Sequence, residues 1–477
     1  MKESTTSFKP SMGLFDATMI VAGSMIGSGI FIVSADITRN VGSAGWLIAV
    51  WLITGFMTLT AALSYGELSA MFPKAGGQYV YLKESFNPLA GFLYGWSFFA
   101  VIQTATIAAV GVAFSKFAAY LIPAISEKHI IADLGFITIS AAQLVSIVLI
   151  VLLTYINTKG IQGVKLIQRV FTSAKLLALF GLIIFGFFLA KESFWSQNWA
   201  TGMHAMQLEK DAAGKFIEHG QWFGIGGSAL IGAIAAAMVG SIFSSDQWNN
   251  VTFIAGEIKN PKRNIGLSLF LGTLIVTILY VSANLMYLNV LPLEGIVGAE
   301  NDRVAVAASK QIFGDMGTYV IAILIMVSTF GCNNGLILAG ARVYNAMAKD
   351  GLFFKQAANL NKNAVPEFAL WIQCIVAALL CLSGKYGDLL DMISFVVVLF
   401  YALTIIGIFR LRRTMPDAER PYKAFGYPIL PAIYILLAAV FCIFLIIMKP
   451  DYAGFGLGIV LLGIPLYYLA INKSKKG

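Results

Sequence analysis

The chain has 477 residues, of which 58% are hydrophobic and only 12% are charged, and its formal net charge is +9. Soluble domains carry roughly 25% charged residues, so this composition excludes an ordinary water-soluble fold. The basic excess is explained by the anionic surface of a membrane, and it does not indicate a nucleic-acid partner.

Apolar windows long enough to cross a lipid bilayer follow one another along the whole chain. A spanning helix needs about 20 mostly apolar residues. The sequence predicts about twelve such spans, near residues 13–36, 41–66, 85–115, 134–158, 166–190, 219–245, 264–293, 316–341, 368–384, 392–409, 424–448 and 452–472. The expected fold class is therefore an all-α polytopic membrane protein.

The positions of the lysines and arginines predict how these spans are oriented. With the spans numbered in order, 22 of the 33 basic residues flank one side of the membrane. Basic residues are retained on the cytoplasmic side, so we expect both termini in the cytoplasm of a multi-pass plasma (cytoplasmic) membrane protein. Residues 1–12 are polar and no A-x-A-like cleavage site precedes Arg39, so the first span is expected to be retained.

The first span interrupts its own apolar pattern. Residues 23–31 read GSMIGSGIF, with three glycines and two serines within seven residues. Glycine costs a helix about 1 kcal/mol relative to alanine, so local unwinding is expected here. Unwound backbone in a bilayer is tolerated only where it faces protein, water or a ligand. The alternative is a packing face of small residues at Gly23 and Gly27.

The sixth span contains a second interruption, where residues 240–248 read GSIFSSDQW. Interrupted spans at corresponding positions of two halves are the best sequence indication of a transporter site built on inverted repeats. The predicted repeats are residues 1–190 and 191–413, followed by two further helices in 414–477. The second repeat would include an outer linker at 191–221 and an inner linker at 349–366.

Seven short motifs occur in order between residues 13 and 350. They are SMIGSGIF at 24–31, SYGEL at 64–68, GGQY at 76–79, FTSAKLLAL at 171–179, EIKNP at 257–261, STFG at 328–331 and RVY at 342–344. Together they resemble the amino acid–polyamine–organocation (APC) superfamily, and within it the L-type amino acid transporter group. The resemblance implies a leucine-transporter-like five-plus-five inverted repeat with discontinuous helices 1 and 6, and an amino-acid substrate.

The resemblance also implies substrate-binding residues at the two breaks. These are Met25, Ile26, Ser28, Gly29, Gly240 and Phe243. The N–H groups of Ser28 and Gly29 would bind the α-carboxylate, because a helix N-terminus attracts anions, and the carbonyls of the other four would accept from the ammonium. The side chain of Phe243 aligns with an aromatic gate of the family. Ordinary packing is the alternative for that ring.

Two charged residues inside the spans call for an explanation. Asp246 departs from the L-type pattern, and it either meets a cationic substrate or caps the second half of the broken helix. Lys175 lies in span five, where a lysine costs about 2.5–3.5 kcal/mol on insertion scales unless it snorkels to the interface. The resemblance implies that its ammonium contacts the unwound part of span one, at the place where sodium-coupled relatives hold sodium.

Several polar residues in apolar spans are candidates to line the substrate path. They are Gln103, Thr106, Ser244, Asn333 and Asn334. The alternative for these residues is hydrogen bonding between helices. Glu67, near the inner end of span two, is expected to pair with a basic loop residue such as Lys74.

The sequence contains no pattern typical of an enzyme or a metal site. The three histidines fall in polar linkers and the four cysteines fall in spans, so neither a zinc site nor a disulfide framework is predicted. No cofactor is expected, and nothing requires a single-pass partner subunit. We predict a sodium-independent exchanger or uniporter of neutral L-amino acids. The alternative is a proton-coupled permease for cationic amino acids or polyamines.

Overall fold

The computed structural model describes residues 10–133, 138–211, 214–217, 219–383 and 386–474. The α-helices, in chain order, are α1 (Leu14–Met25), α2 (Ser34–Val41), α3 (Ala44–Met71), α4 (Gln78–Ser85), α5 (Pro88–Ser97), α6 (Gln103–Leu121), α7 (Ala141–Thr158), α8 (Ile161–Phe188), α9 (Trp195–Trp199), α10 (Gly227–Ser244), α11 (Asn250–Phe253), α12 (Pro261–Val290), α13 (Leu293–Val297), α14 (Val304–Phe313), α15 (Asp315–Lys349), α16 (Glu367–Ser383), α17 (Tyr386–Thr414), α18 (Ile429–Met448) and α19 (Pro450–Ser474). Two antiparallel hairpins pair β1 (Ile130–Asp133) with β2 (Thr138–Ser140) and β3 (Met206–Leu208) with β4 (Trp222–Gly224).

Within the described residues, ten helical stretches are long and apolar enough to cross a membrane. One of them joins α5 to α6 through a π-helical turn at Phe98–Ile102. The other two predicted spans coincide with shorter apolar helices, α1 near residues 13–36 and α16 near residues 368–384. The prediction of an all-α polytopic membrane protein is therefore confirmed.

Successive spans run in opposite directions, so their connections fall on two sides. The N-terminal end of α1, the C-terminal end of α11 and the connections α3–α4, α7–α8, α15–α16 and α17–α18 share one side, called the basic side because most lysines and arginines flank it. The connections α2–α3, α6–α7, α8–α10 and α12–α15 lie on the opposite side. The basic side is the predicted cytoplasmic side.

Burial separates central spans from peripheral ones. In the α5–α6 span 89% of the apolar window is buried, whereas in α18 and α19 the share is 28%. Apolar side chains on the exposed faces of the peripheral helices are expected to face the lipid tails of the bilayer. The functional site is therefore expected among the central spans.

Helices one and six are both interrupted, as predicted. The first helix leaves helical geometry at Ile26, forms a short 3₁₀ turn at Gly29–Phe31 and resumes as α2. The sixth ends as α10 at Ser244, passes through Gln247 in the left-handed region (φ 65°) and continues as α11. The breaks touch each other, because a Cβ added at Gly29 would overlap the Ser244 side chain.

Both predicted linkers contain short regular elements. The outer linker, 191–221, holds α9 and β3, and β4 follows directly after it. It packs against the start of α3, where the amide of Gly45 donates to the carbonyl of Gly202 (3.0 Å) and the indole of Trp46 donates to the carbonyl of Met203 (2.9 Å). The inner linker, 349–366, holds a 3₁₀ turn at Lys355–Ala358.

Candidate substrate site

Lys175 of α8 is fully buried, with its ammonium on the break in helix one. It donates to the carbonyl of Gly23 and to that of Ile26 (2.7 Å). The neighbouring thiol of Cys332 in α15 donates to the carbonyl of Ser24 (3.1 Å). The predicted contact with the unwound part of span one is present, and the snorkelling alternative is wrong. A cation at the C-terminal end of α1 also offsets the negative end of that helix dipole.

Ile26 and Gly27 have a second donor in α15. The hydroxyl of Ser328 lies 3.3 Å from the carbonyl oxygen of Ile26 and 3.4 Å from that of Gly27. A carbonyl oxygen has two lone pairs. In this structure Ile26 uses them for Lys175 and Ser328, so its role as an acceptor for a substrate ammonium stays a prediction.

Tyr280 of α12 connects the two breaks. Its hydroxyl lies 2.9 Å from the carbonyl oxygen of Met25, at the end of α1, and 3.0 Å from that of Ser244, at the end of α10. The ring packs edge-on against Trp51 with centroids 5.3 Å apart. Tyr280 lies in none of the motifs that predicted the site, although a tyrosine hydroxyl buried in an apolar span needs a polar partner.

Ser28 and Gly29 stand where the second half of helix one begins. Ser28 precedes the 3₁₀ turn and Gly29 is its first residue, so both lie at a helix N-terminus, where N–H groups lack acceptors within the helix. The hydroxyl of Tyr287 donates to the carbonyl of Ile30 in the same turn (3.2 Å). Such an end favours an anion, and binding of the α-carboxylate here stays a prediction.

The last turn of α10 carries the predicted residues of helix six. The carbonyl of Gly240 accepts from the hydroxyl of Ser244 (2.7 Å), and that of Phe243 accepts from the amide of Asp246 (3.3 Å). A Cβ at Gly240 would lie 2.9 Å from that of Val33, so glycine permits close packing against helix one. The Phe243 ring is buried beside the break. Its function as a gate stays a prediction.

Asp246 does not cap the second half of helix six. One carboxylate oxygen accepts from the hydroxyl of Tyr401 in α17 (2.5 Å) and the other from the side-chain amide of Gln247 (2.9 Å). The N-cap of α11 is Asn249, which makes no side-chain capping bond. The cap prediction is therefore wrong, because a partner from another helix uses the carboxylate. Among the residues that the structure describes, no group of three or more His, Cys, Asp or Glu is arranged to hold a metal ion.

Two of the candidate lining residues join α6 to α15. The side-chain amide of Gln103 donates to the carbonyl of Leu336 (2.7 Å), and that of Asn333 donates to the carbonyl of Ile107 (3.2 Å). These are the interhelical hydrogen bonds considered as the alternative. The lining role of both residues stays a prediction.

The other candidates also have protein partners. Thr106 donates to the carbonyl of Ile102 one turn earlier in the same span (2.6 Å). Asn334 accepts from the side-chain amide of Asn157 in α7 (2.9 Å), which is another interhelical hydrogen bond. Ser244 lies at the break itself, in contact with the position of Gly29. Of these three, Ser244 is the one that the geometry places directly between the broken helices.

The basic side is closed by side-chain ion pairs and by backbone. The pairs are Arg342–Glu257 (3.2 Å), Arg169–Asp16 (2.5 Å) and Lys83–Asp350 (2.7 Å). The segment before α1 also pairs with the end of helix six, since the amides of Ser11 and Met12 donate to the carbonyl of Glu257 and the amide of Lys259 donates to that of Met12.

Glu67 anchors the connection after α17 to the basic end of α3. Its carboxylate accepts from Arg412 (2.7 and 3.0 Å) and from the backbone amide of Ala424 (2.7 Å), and it lies 3.3 Å from the guanidinium of Arg420. Pairing with a basic loop residue is confirmed, but the partners are these arginines and not Lys74. They come from a distant part of the sequence.

Among the described residues, the opposite side is closed by fewer ion pairs. Arg39 of α2 donates to the carboxylate of Asp302 (2.6 Å) and to the carbonyl of Val297 (2.6 Å), in the connection between α12 and α15. Lys449, after α18, pairs with Asp391 of α17 (2.6 Å). The broken helices therefore lie between two closures.

Comparison with known proteins extends over nearly the whole chain. A family model described as amino acid permease matches residues 12–467. The chain is 31% identical to the large neutral amino acids transporter small subunit 2 of Homo sapiens over 98% of this chain and 82% of that protein. It is 28% identical to the Asc-type amino acid transporter 1 of Mus musculus, over 98% and 82%, and 27% identical to the b(0,+)-type amino acid transporter 1 of Mus musculus, over 98% and 89%. The chain therefore belongs to the amino acid permease family, a family of transporters within the APC superfamily that its motifs resemble.

Proposed function

We propose that this protein carries neutral L-amino acids across the plasma membrane without sodium, as an exchanger or uniporter that works by alternating access. The two repeats would be residues 1–190 and 191–413, with α18 and α19 added, and both termini would lie in the cytoplasm. Residues 1–9 and 475–477, on which the placement of the termini bears, lie outside the described part of the chain.

The contact of Lys175 with the break in helix one is the observation that carries sodium independence. Its ammonium donates to two backbone carbonyls that a bound cation would otherwise use as ligands. Two unit charges 4 Å apart repel by about 4 kcal/mol at an effective dielectric constant of about 20. A sodium ion at the same carbonyls would meet this repulsion, so the lysine takes the place of the ion.

The ends of the broken helices support an amino acid as the substrate. The C-terminal ends of α1 and α10 present carbonyls, which attract an ammonium, while the turn that begins at Gly29 presents N–H groups, which attract a carboxylate. An α-amino acid carries both charges on one carbon atom. The contact between Gly29 and Ser244 brings the two ends close enough for such a ligand.

The relatives support a neutral substrate, because the name of the human protein specifies large neutral amino acids and the chain matches it over 98% of its length.

That name also marks the human protein as a small subunit. We propose that the present chain works without a covalent partner. Its four cysteines lie within helices α15, α16 and α18, three of them buried, so the connecting loops offer none for an intermolecular disulfide.

Uptake by the purified chain in proteoliposomes tests this function. We expect labelled neutral amino acids to enter equally well in sodium and in choline buffers, and without an added subunit. Faster uptake when the vesicles contain unlabelled substrate indicates exchange, and uptake independent of internal substrate indicates uniport. Uptake that requires sodium contradicts the role given to Lys175. Failure to carry any neutral amino acid contradicts the proposed function.

A further inference from the structure

A small, partly enclosed cavity lies beside the break in helix six. Its volume is about 10 Å³, which is about the room that one water-sized group needs. Phe98 and Ile102 from the π-helical turn and Val397 from α17 form an apolar wall. Asp246 and Gln247 stand in the polar wall, immediately after the last turn of α10.

The polar wall presents hydrogen-bond acceptors. Asp246 is only 4% exposed, and its carboxylate accepts from the hydroxyl of Tyr401 and from both the backbone and the side-chain amide of Gln247. Ionised carboxylate oxygens can accept further hydrogen bonds. Gln247 is 5% exposed, and its side-chain oxygen has no hydrogen-bond partner among the described residues. A buried acceptor without a donor is unfavourable unless something else supplies the donor.

Tyr94 also lines the cavity, and three further polar side chains of the wall direct their donors at protein acceptors. The side-chain amide of Asn249 donates to the side-chain oxygen of Gln78 (3.2 Å), and the amide nitrogen of Gln78 donates to the hydroxyl of Thr404 (3.0 Å). The hydroxyl of Tyr401 is committed to Asp246. The donors of Asn249, Gln78 and Tyr401 therefore point at protein acceptors, while the side-chain oxygen of Gln247 is left for a ligand and the Asp246 carboxylate can accept a further hydrogen bond.

The backbone at Gln247 supports a binding role. The residue has φ 65°, a left-handed conformation that is uncommon for residues other than glycine. Strained conformations persist where the surrounding structure holds them, and they cluster at ligand sites. Here the left-handed backbone places the Gln247 side chain against Asp246 at the edge of the cavity.

We propose that this cavity receives the end of the substrate side chain, and that Asp246 and Gln247 select neutral amino acids whose side chains carry a hydroxyl or a primary amide over their apolar isosteres. This inference rests on the proposed function and specifies its substrate class. Each such group brings a donor for the side-chain oxygen of Gln247. The volume of the cavity suits a hydroxyl group or the NH₂ end of a carboxamide, and the donors already on Asp246 reduce its need for a cationic partner.

Isosteric pairs of amino acids test the inference in the proteoliposomes described above. Threonine and valine have the same shape and differ by the hydroxyl group, and asparagine and leucine are similar in size. We expect threonine to compete for uptake of a labelled neutral substrate at roughly tenfold lower concentration than valine, with the same order for asparagine and leucine, because a hydrogen bond to a charged acceptor is a strong one.

Variants assign the preference to these two side chains. In Asp246→Leu and in Gln247→Met we expect the threonine-to-valine ratio to fall to about one, because each removes an acceptor at similar volume. Gln373→Met is the matched control. Gln373 is also a buried glutamine with an unpartnered side-chain oxygen, but it bonds to Ile337 between α15 and α16, so the ratio should not change. If Asp246→Leu does not fold, Gln247→Met still decides the question.

The outcomes separate this inference from the proposed function. Uptake of neutral amino acids with valine equal to or better than threonine overturns the inference and leaves the proposed function standing. Lysine as the strongest competitor overturns the selection of neutral side chains. A preference for threonine that survives in both variants overturns the assignment to Asp246 and Gln247. Absence of any amino-acid uptake overturns the proposed function, and the inference with it.

Discussion

The two closures around the broken helices differ in how deeply their ion pairs are buried. On the basic side, Arg342 and Glu257 pair with side chains that are 1% and 4% exposed. On the opposite side, the side chains of Arg39 and Asp302 are 19% and 35% exposed. Breaking a buried pair by removing one partner costs about 3–5 kcal/mol, whereas exposed pairs contribute about 0–1 kcal/mol. The pair on the basic side is therefore the more sensitive of the two to the loss of one partner.

Backbone contacts increase this asymmetry. The segment at Ser11 and Met12 forms backbone hydrogen bonds with residues 257–259, so the start of helix one and the end of helix six are joined on the basic side. Alternating access requires each closure to open in turn. Opening the basic side must therefore break a buried ion pair and a backbone bridge together, while the opposite side opens by separating partly exposed groups.

The largest effect that tests this comparison is expected from Arg342→Met. It leaves the Glu257 carboxylate buried without its cation, which should lower stability by about 3–5 kcal/mol. Thermal unfolding in detergent measures the loss. The double variant Arg342→Met/Glu257→Met should recover most of it, since no lone charge remains. If the double variant is as unstable as the single one, the ion pair is not the element that holds this side closed.

Lys175→Met changes the site between the two closures, and we expect the second largest effect from it. It removes the donor that Lys175 supplies to the Gly23 and Ile26 carbonyls; Ser328 remains near Ile26, and a buried acceptor left without a donor costs about 1–3 kcal/mol. We expect at least tenfold slower uptake in proteoliposomes. Because the residue belongs to neither side, accessibility of engineered cysteines should change on both. A change confined to one side would assign Lys175 to that closure.

Tyr280→Phe should have a smaller effect, because it removes only the hydroxyl that connects the two breaks. Removing its hydroxyl should cost about 1 kcal/mol, the net value of a typical hydrogen bond. The measurement is the concentration dependence of uptake, where we expect weaker apparent affinity. Trp51→Phe, which alters the packing partner of the ring and keeps the hydroxyl, is the control.

Arg39→Met should have the smallest effect on stability, at most about 1 kcal/mol, because its ion pair is partly exposed. We expect its main consequence to be a shift of the equilibrium between the two states of the transport cycle toward the state that is open on the side opposite the basic side. Thiol reagents added on the opposite side should label a cysteine placed near the site faster than in the parent protein. If Arg39→Met destabilises the protein as much as Arg342→Met, the asymmetry between the closures is wrong.

Local composition was sufficient to predict the two breaks. The glycines and serines of residues 23–29 weaken a helix wherever it lies, so the interruption could be found without knowing the neighbours. The contact of Lys175 followed from the resemblance of its motif to a family. In both cases the information lies within a few residues of the feature.

The partners of Asp246 and Met25 could not be predicted in this way. Tyr401 is 155 positions from Asp246 and Tyr280 is 255 positions from Met25, so no local pattern joins them. The capping rule considers only the adjacent helix. It failed at Asp246 because a tyrosine from α17 uses the carboxylate, and only the packing of the spans brings that tyrosine there. The same reason explains why Glu67 pairs with Arg412 and Arg420.

The contact between Gly29 and Ser244 limits the substitutions that the break in helix one can tolerate. A single added methyl group at Gly29 would overlap the neighbouring helix, so the spacing of the two broken helices is defined to less than the width of one carbon atom. In a library of all substitutions, position 29 should accept glycine alone under selection for growth on an imported amino acid. In the binding mode that we propose, larger substrates therefore require more room elsewhere, on the cavity wall formed by α17 and the turn between α5 and α6.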